Sequence, residues 1–369
     1  MSDSKNQLSK IPSLEQIVKL PKVMLHDHLD GGLRPQTIID IAREINYEKL
    51  PSYDANELAT WFRAACDSGS LVEYLETFEH TISVMQTEEH IKRVAREAVL
   101  DLARDGVVWA ELRGAPELFT RKGLTIDQVI EATLAGYQEG EKLAAAEGLF
   151  IKTGSILCAM RQNNLALEIA EEVVKYRDQG VVGFDIAGPE DGFPPTRQIE
   201  AFEYLRKENM PFTIHAGEAF GLPSIWEAIQ LCGTQRVGHG VHIADDIDFS
   251  SNPPKLGRLA QYVRDRRIPL ELCPTSNLQT GIAQDYFGHP INNLWKLGFT
   301  VTINTDNRLM SRTSLSNEIY QCVKAFNWDL ATIQEIVINA MKNAFTSVEV
   351  QNHIIENIIT KRFAEILNN

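Results

Sequence analysis

Eight short apolar runs, rich in β-branched or aromatic residues, recur along the chain with helix-like segments between them, and this rhythm constrains the fold. The runs begin at Lys22 (KVMLHDH), Val107 (VVWAELR), Phe150 (FIKTGSILCAM), Val181 (VVGFDIAG), Pro211 (PFTIHAG), Arg236 (RVGHG), Ile268 (IPLELCPTS) and Phe299 (FTVTINTD). From Val107 onward the starts lie 25 to 43 residues apart, the interval of successive strand–helix units in a parallel sheet. Eight such units predict a closed (β/α)8 barrel. An open doubly wound sheet often carries GxGxxG after its first strand, and none follows here.

A length of 369 residues alone allows two or three domains. No internal repeat, low-complexity tract or Pro/Gly-rich linker divides the chain, so a single domain over 1–369 is expected. The interval from Lys22 to Val107 breaks the rhythm, at 85 residues, and contains amphipathic segments at 36–46 and 70–85. Residues 29–106 therefore read as a helical insertion on the catalytic rim of the barrel, suited to act as a lid. Residues 1–20 read as an N-terminal extension, and the chain beyond Asp306 as helices over 314–326, 330–345 and 352–367.

Composition removes several function classes. Lys and Arg number 36 against 50 Asp and Glu, a net charge of −14, which argues against a broad phosphate-binding face and a nucleic-acid partner. A small uncharged nucleoside is not excluded by it. The five cysteines are scattered without a CxxC, so neither a disulfide framework nor a cysteine zinc site is indicated, and core filler is their expected role. No stretch approaches the ~20 apolar residues of a membrane helix and no signal-peptide core precedes the first run. A cytoplasmic chain with no membrane partner is expected. No feature of the sequence sets an oligomeric state.

The nine histidines are unevenly spread. His26 and His28 close the first run, His215 the fifth and His239 the sixth, while Asp306 ends the eighth. Two residues apart on a strand, His26 and His28 point the same way, and in a barrel all these strand ends converge on one mouth. One histidine at a strand end is usually an ordinary core or surface residue. Several imidazoles with a carboxylate at one mouth instead make a divalent-metal site, and nitrogen-rich ligation favours zinc. His242 reads as a solvent or packing residue. Glu218, in the string HAGE, could be a first-turn glutamate favoured by a helix dipole. Beside a metal it is better placed to exchange protons with a substrate as a general acid–base.

The strings LHDHLDGGLRP from Leu25, DIAG from Asp185, HAGE from His215, GHG from Gly238 and NTD from Asn304 resemble, in order, the motifs of the adenosine deaminase family. The resemblance runs from Lys22 to the C-terminal helices; NTDNRLMS and the first string further resemble the bacterial, actinobacterial-type branch. It implies one zinc ion per chain held by His26, His28, His215 and Asp306. His239 would orient the attacking water, and neutral Glu218 would protonate purine nitrogen 1. Beside the metal, His28 would also face the substrate; Asp30 would accept from the ribose 5′-hydroxyl, and the Gly188 amide would donate to nitrogen 3. Leu75, Phe78 and Met160 would cover the base.

The activity so implied is hydrolytic deamination of adenosine and 2′-deoxyadenosine to inosine and 2′-deoxyinosine with release of ammonia, a step of purine salvage. One departure bears on specificity. Where many members carry a second aspartate after Asp306, this chain has Asn307. An asparagine amide donates to purine nitrogen 7 without titrating, so adenine recognition survives, while free adenine or aminodeoxyfutalosine stand as alternative substrates. A phosphate would meet the Asp30 carboxylate, which disfavours AMP. No lysine stands at the end of the fourth run to bridge a second metal, and the HxE and PCxxC of the cytidine-deaminase zinc site are absent. A non-catalytic nucleoside-binding protein is the remote alternative, and the presence of Glu218, His239 and all four ligand candidates speaks against it.

Overall fold

Each of the eight apolar runs contains one strand. They are β1 Lys22–His28, β2 Val107–Gly114, β3 Lys152–Met160, β4 Val181–Ala187, β5 Thr213–Ala216, β6 Arg236–His239, β7 Leu270–Leu272 and β8 Val301–Ile303. The structure, a computed structural model, describes residues 11–67 and 71–368, and for 71–76 and 367–368 the backbone alone. β1 to β4 pair in parallel in sequence order, as do β5 to β8. Buried on both faces, the strands read as continuous apolar runs rather than as alternations.

Two seams join these half-barrels. At one, Phe184 of β4 pairs with Phe212, just before β5. At the other, Asp306 N–H donates to His26 O (3.0 Å) and His28 N–H donates to Asp306 O (2.8 Å). The Asn304 side chain reinforces this second seam, its Oδ1 accepting from the backbone N–H groups of Leu25 (2.9 Å) and His26 (3.1 Å). The result is the expected (β/α)8 barrel.

Among the described residues, four helices occupy the long first interval: Pro35–Glu44, Ala55–Cys66, Leu71–Ser83 and Glu88–Arg104. Pro35 starts the first with its φ already helical. Asp54 caps the second and Thr87 the fourth, accepting first-turn N–H groups. The second helix reaches the loops beyond β7 and β8, where Arg63 donates to the Ser311 carbonyl and Gln279 donates to Asp67 at 2.9 Å.

Some elements differ from the sequence reading. A helix, Leu14–Lys19, lies within the N-terminal extension and is closed by a capping box between Ser13 and Gln16; six residues are too few for a periodic signal. The helix expected over 330–345 ends at Lys342. Beyond it, Asn343 O accepts from Arg236 (2.8 Å) and Phe345 N–H donates to Glu111 (2.5 Å), so this segment is tied to barrel side chains instead of continuing the helix. The last helical stretch begins at Val348, capped by Ser347, earlier than expected. Among the described residues, no helix is long and apolar enough to cross a membrane.

Candidate active site and metal centre

β1 ends in His26 and His28, which face the barrel mouth, while Asp27 between them turns away to bond Thr305 (2.6 Å) and Arg308 (2.8 Å). His215 comes from β5 and His239 from β6. Asp306 follows β8. His239 and Asp306 both have left-handed backbones, with φ of 57° and 59°, conformations that are strained for such residues and concentrate at functional sites.

The side chains converge. Nε2 of His28 lies 3.2 Å from Nε2 of His215 and 3.4 Å from Asp306 Oδ1. His26 Nε2 lies 3.5 Å from the same Asp306 oxygen and, though buried, has no hydrogen-bond partner. Ligand-type atoms of His26, His215, His239 and Asp306 all fall within 4.8 Å of one another. Burial favours the neutral imidazoles of His28 and His239, pushing their pKa well below the usual histidine range.

A layer of buried charge backs the histidines. His26 Nδ1 faces Glu271 Oε2 at 2.9 Å, and His215 Nδ1 faces Asp185 Oδ2 at 2.8 Å. Arg113 reaches both carboxylates, at 2.9 and 2.6 Å. Arg236 pairs with Glu271 and Glu111, each at 2.6 Å, and lies over the Phe345 ring. Burial opposes ionisation of Asp185 and Glu271. His215 and Arg113 around the first, and Arg113 and Arg236 around the second, nevertheless hold both well below the usual carboxylate range. In their neutral forms His26 and His215 would keep their protons on Nδ1 against these two carboxylates and present Nε2 to the mouth.

Glu218 sits on the turn leaving β5, outside any helix, with Oε2 3.5 Å from His239 Nε2. Burial, then the charges of Asp306 and Glu190, push its carboxyl up to about 8. Asp30 is buried, its Oδ1 lacks a partner, and burial pushes it up to about 6. Gly31 makes room for Asn307, because a Cβ there would overlap the Asn307 side chain. Met160 approaches Gly188, its Cε lying 3.2 Å from where a Gly188 Cβ would be. Phe78 is half-buried against the core. The Leu75 side chain lies outside the described residues. His242 is removed from this cluster and pairs with Asp245 at 2.6 Å; the five cysteines are buried and free.

Residues without an assigned role in the sequence reading take prominent positions here. Asp185 and Glu271 had a signal, a carboxylate inside an apolar strand, which a core tolerates only when paired. Glu190, Asn277 and His289 had none, because their partners are distant in sequence.

The family model described as adenosine deaminase matches residues 21–361. Adenosine deaminase 1 of Streptomyces coelicolor is 57% identical over 360 residues, covering 97% of this chain and 91% of its own. The crystal structure of adenine deaminase from Arthrobacter aurescens is similar at a TM-score of 0.80 and 22% identity, covering 95% of this chain and 100% of that one. A zinc-bound amidohydrolase from Burkholderia ambifaria is similar at 0.80 and 20% identity, covering 96% and 93%. At such identities the two structures speak for the fold.

Proposed function

The chain belongs to the adenosine deaminase family, and from that premise we propose how its barrel mouth carries out hydrolytic deamination of adenosine to inosine and ammonia. The single observation that carries this reading is the part-buried Glu218 carboxyl, 3.5 Å from His239 at the edge of a metal-type ligand set.

The donors fit one zinc ion. Three imidazoles and a carboxylate suit zinc, and ligand atoms ~2.0–2.1 Å from a tetrahedral ion stand roughly 3.3 Å apart. The separations of 3.2, 3.4 and 3.5 Å among His26, His28, His215 and Asp306 agree with that spacing. Those four residues would hold the ion. When bound, zinc supplies hydroxide at neutral pH by lowering the pKa of water to ~7.

Hydrogen-bond polarity supports His239 as a donor rather than a fifth ligand. Ile291 N–H donates to His289 Nδ1 (3.1 Å), which puts the His289 proton on Nε2, facing Asn277 Oδ1 at 3.2 Å. Cys273 N–H donates to that same oxygen (3.3 Å). The Asn277 amide is thereby oriented to donate to His239 Nδ1 (3.2 Å), leaving the His239 proton on Nε2. A protonated nitrogen does not ligate a metal. It can orient a water and stabilise charge during attack on carbon 6.

Glu218, neutral at physiological pH, would protonate nitrogen 1 and make the ring a better electrophile. Asn307 would donate to nitrogen 7 and the Gly188 N–H to nitrogen 3, with Met160, Phe78 and Leu75 against the base. Asp30 would accept from the 5′-hydroxyl. Its unpartnered buried oxygen favours a hydroxyl-bearing nucleoside over free adenine, and 2′-deoxyadenosine fits as well as adenosine. The cytoplasm is the compartment proposed, in keeping with five unpaired cysteines.

The test pairs metal analysis with ultraviolet monitoring of adenosine, 2′-deoxyadenosine, adenine and AMP. Zinc at one per chain with turnover of both nucleosides is expected. Turnover of free adenine alone would overturn the nucleoside assignment.

A further inference from the structure

Glu190, on the segment leaving β4, places its side chain against the turn that carries Glu218. Its Oε1 accepts from the N–H of Gly217 (2.5 Å), and its Oε2 from those of Glu218 (3.1 Å), Ala219 (2.7 Å) and Phe220 (3.1 Å). One carboxylate thus gathers four successive backbone donors. Glu190 is itself only 7% exposed. The turn itself is made by Gly217, which is left-handed (φ 71°) and where any Cβ would overlap Ile225.

Successive N–H groups in such a turn form a concavity that attracts anions. Left open, it would hold the nearest carboxylate, that of Glu218, or reorganise around water. Occupied by Glu190, it is fixed in shape and its positive potential is already matched. We propose that Glu190 is a positioning residue for the reaction: by filling the 217–220 turn it aims the Glu218 carboxyl at the substrate ring and keeps that carboxyl from folding back onto its own backbone. The inference rests on Glu218 acting as the proton donor.

The surroundings of Glu218 agree with this division of labour. It faces His239 from β6, His26 from β1, Asp306 beyond β8, Arg161 beyond β3 and Glu190 beyond β4. Arg161 donates to the His215 carbonyl at 2.7 Å, and Glu190 and Glu218 are both within its field. Glu190 is the anion of the pair, held below the usual carboxylate range despite burial by backbone and side-chain hydrogen bonds and by Arg161. Two neighbouring carboxyls are thereby given opposite protonation states, one anchoring a turn and one carrying a proton.

The test is a double-mutant cycle on the metal-loaded enzyme, with Glu190→Ala and Glu190→Gln each made alone and in a Glu218→Gln background. Misplacement of a reacting group by ~1 Å costs on the order of 10²-fold, so Glu190→Ala is expected to lower kcat by ~10- to 100-fold with KM and metal content held. Glu190→Gln retains one oxygen acceptor and should fall between wild type and alanine; it also carries the cycle if the alanine variant does not fold. Acting through Glu218, either change should cost nothing further once Glu218 is glutamine. Losses that multiply in the double variants, or a fall in activity matched by lost metal, would overturn the proposal. Wild-type turnover by Glu218→Gln would overturn it too, and would locate the failure in the role given to Glu218.

Discussion

His26 Nδ1 lies 2.9 Å from Glu271 Oε2, with both side chains completely buried. The contact fixes which imidazole nitrogen is free for a metal, and Arg113 and Arg236 keep the carboxylate charged. Replacing Glu271 with glutamine removes that charge while keeping the shape. Loss of such an outer partner typically weakens metal binding ~10- to 100-fold, and breaking a buried pair costs ~3–5 kcal/mol. Chelator competition should therefore report weaker zinc retention, with a lowered Tm. Asp185→Asn should do the same through His215. Zinc dissociation at the wild-type rate in both variants would refute the assignment.

Glu218→Gln is expected to bind zinc normally while turning adenosine over ~10²- to 10⁴-fold more slowly. On the proposed mechanism the neutral form of Glu218 is the active one. Activity governed by a group near 8 persists below that pH and declines as pH rises through it. A pH–rate profile of kcat/KM in wild type should show this alkaline limb, and the residual activity of the glutamine variant should lack it.

Asp30 couples stability to pH in a predictable direction. Its folded-state pKa of about 6 lies above the ordinary 3.8, so the folded chain holds this proton more tightly than the unfolded chain does. The stability conferred by the neutral form is complete below ~4 and disappears as pH rises to about 6. Asp30→Asn removes that loss, worth up to about 3 kcal/mol at pH 7.5. Thermal melts should find the variant more stable than wild type at pH 7.5 and the gap shrinking towards pH 4.5. The same variant should have a raised KM for adenosine.

Asn277→Asp tests the proton placement on His239. A carboxylate would accept from Nδ1 and draw the proton away from Nε2. A fall in kcat of ~10²-fold or more is expected, with the His239 ring nitrogens exchanging their ¹⁵N signatures. Unchanged ring signals would show that Asn277 does not set the tautomer.

The strand order and the mouth residues were legible because barrel strands are buried on both faces and their C-terminal ends collect chemistry. His26, His28, His215, His239 and Asp306 lie at the ends of four of these runs, so spacing and residue type sufficed to group them. The residues behind them were not legible by the same logic. Arg113, Asp185, Glu271 and Arg236 acquire meaning only once four different strands meet, since each is satisfied by a partner remote in sequence. Glu190 and Asn277 were more deeply hidden, because what they hold is backbone or another polar side chain. Helix Leu14–Lys19 and the end of the helix at Lys342 escaped for lack of length in one case and because a tertiary contact overrides the apolar pattern in the other.

The seam between β1 and β8 has a consequence for how this molecule can fail. Asp306 N–H and C=O are bonded to His26 and His28 themselves, so the bonds that close the circle of strands also bring the first and last members of the proposed ligand set together. Metal capture by that set would then be a readout of topology. A fragment lacking either end could retain many helices and most of its strands and still hold no ion. Conversely, an ion held there would act as a rivet, resisting a gap at the one junction where the barrel's beginning meets its end.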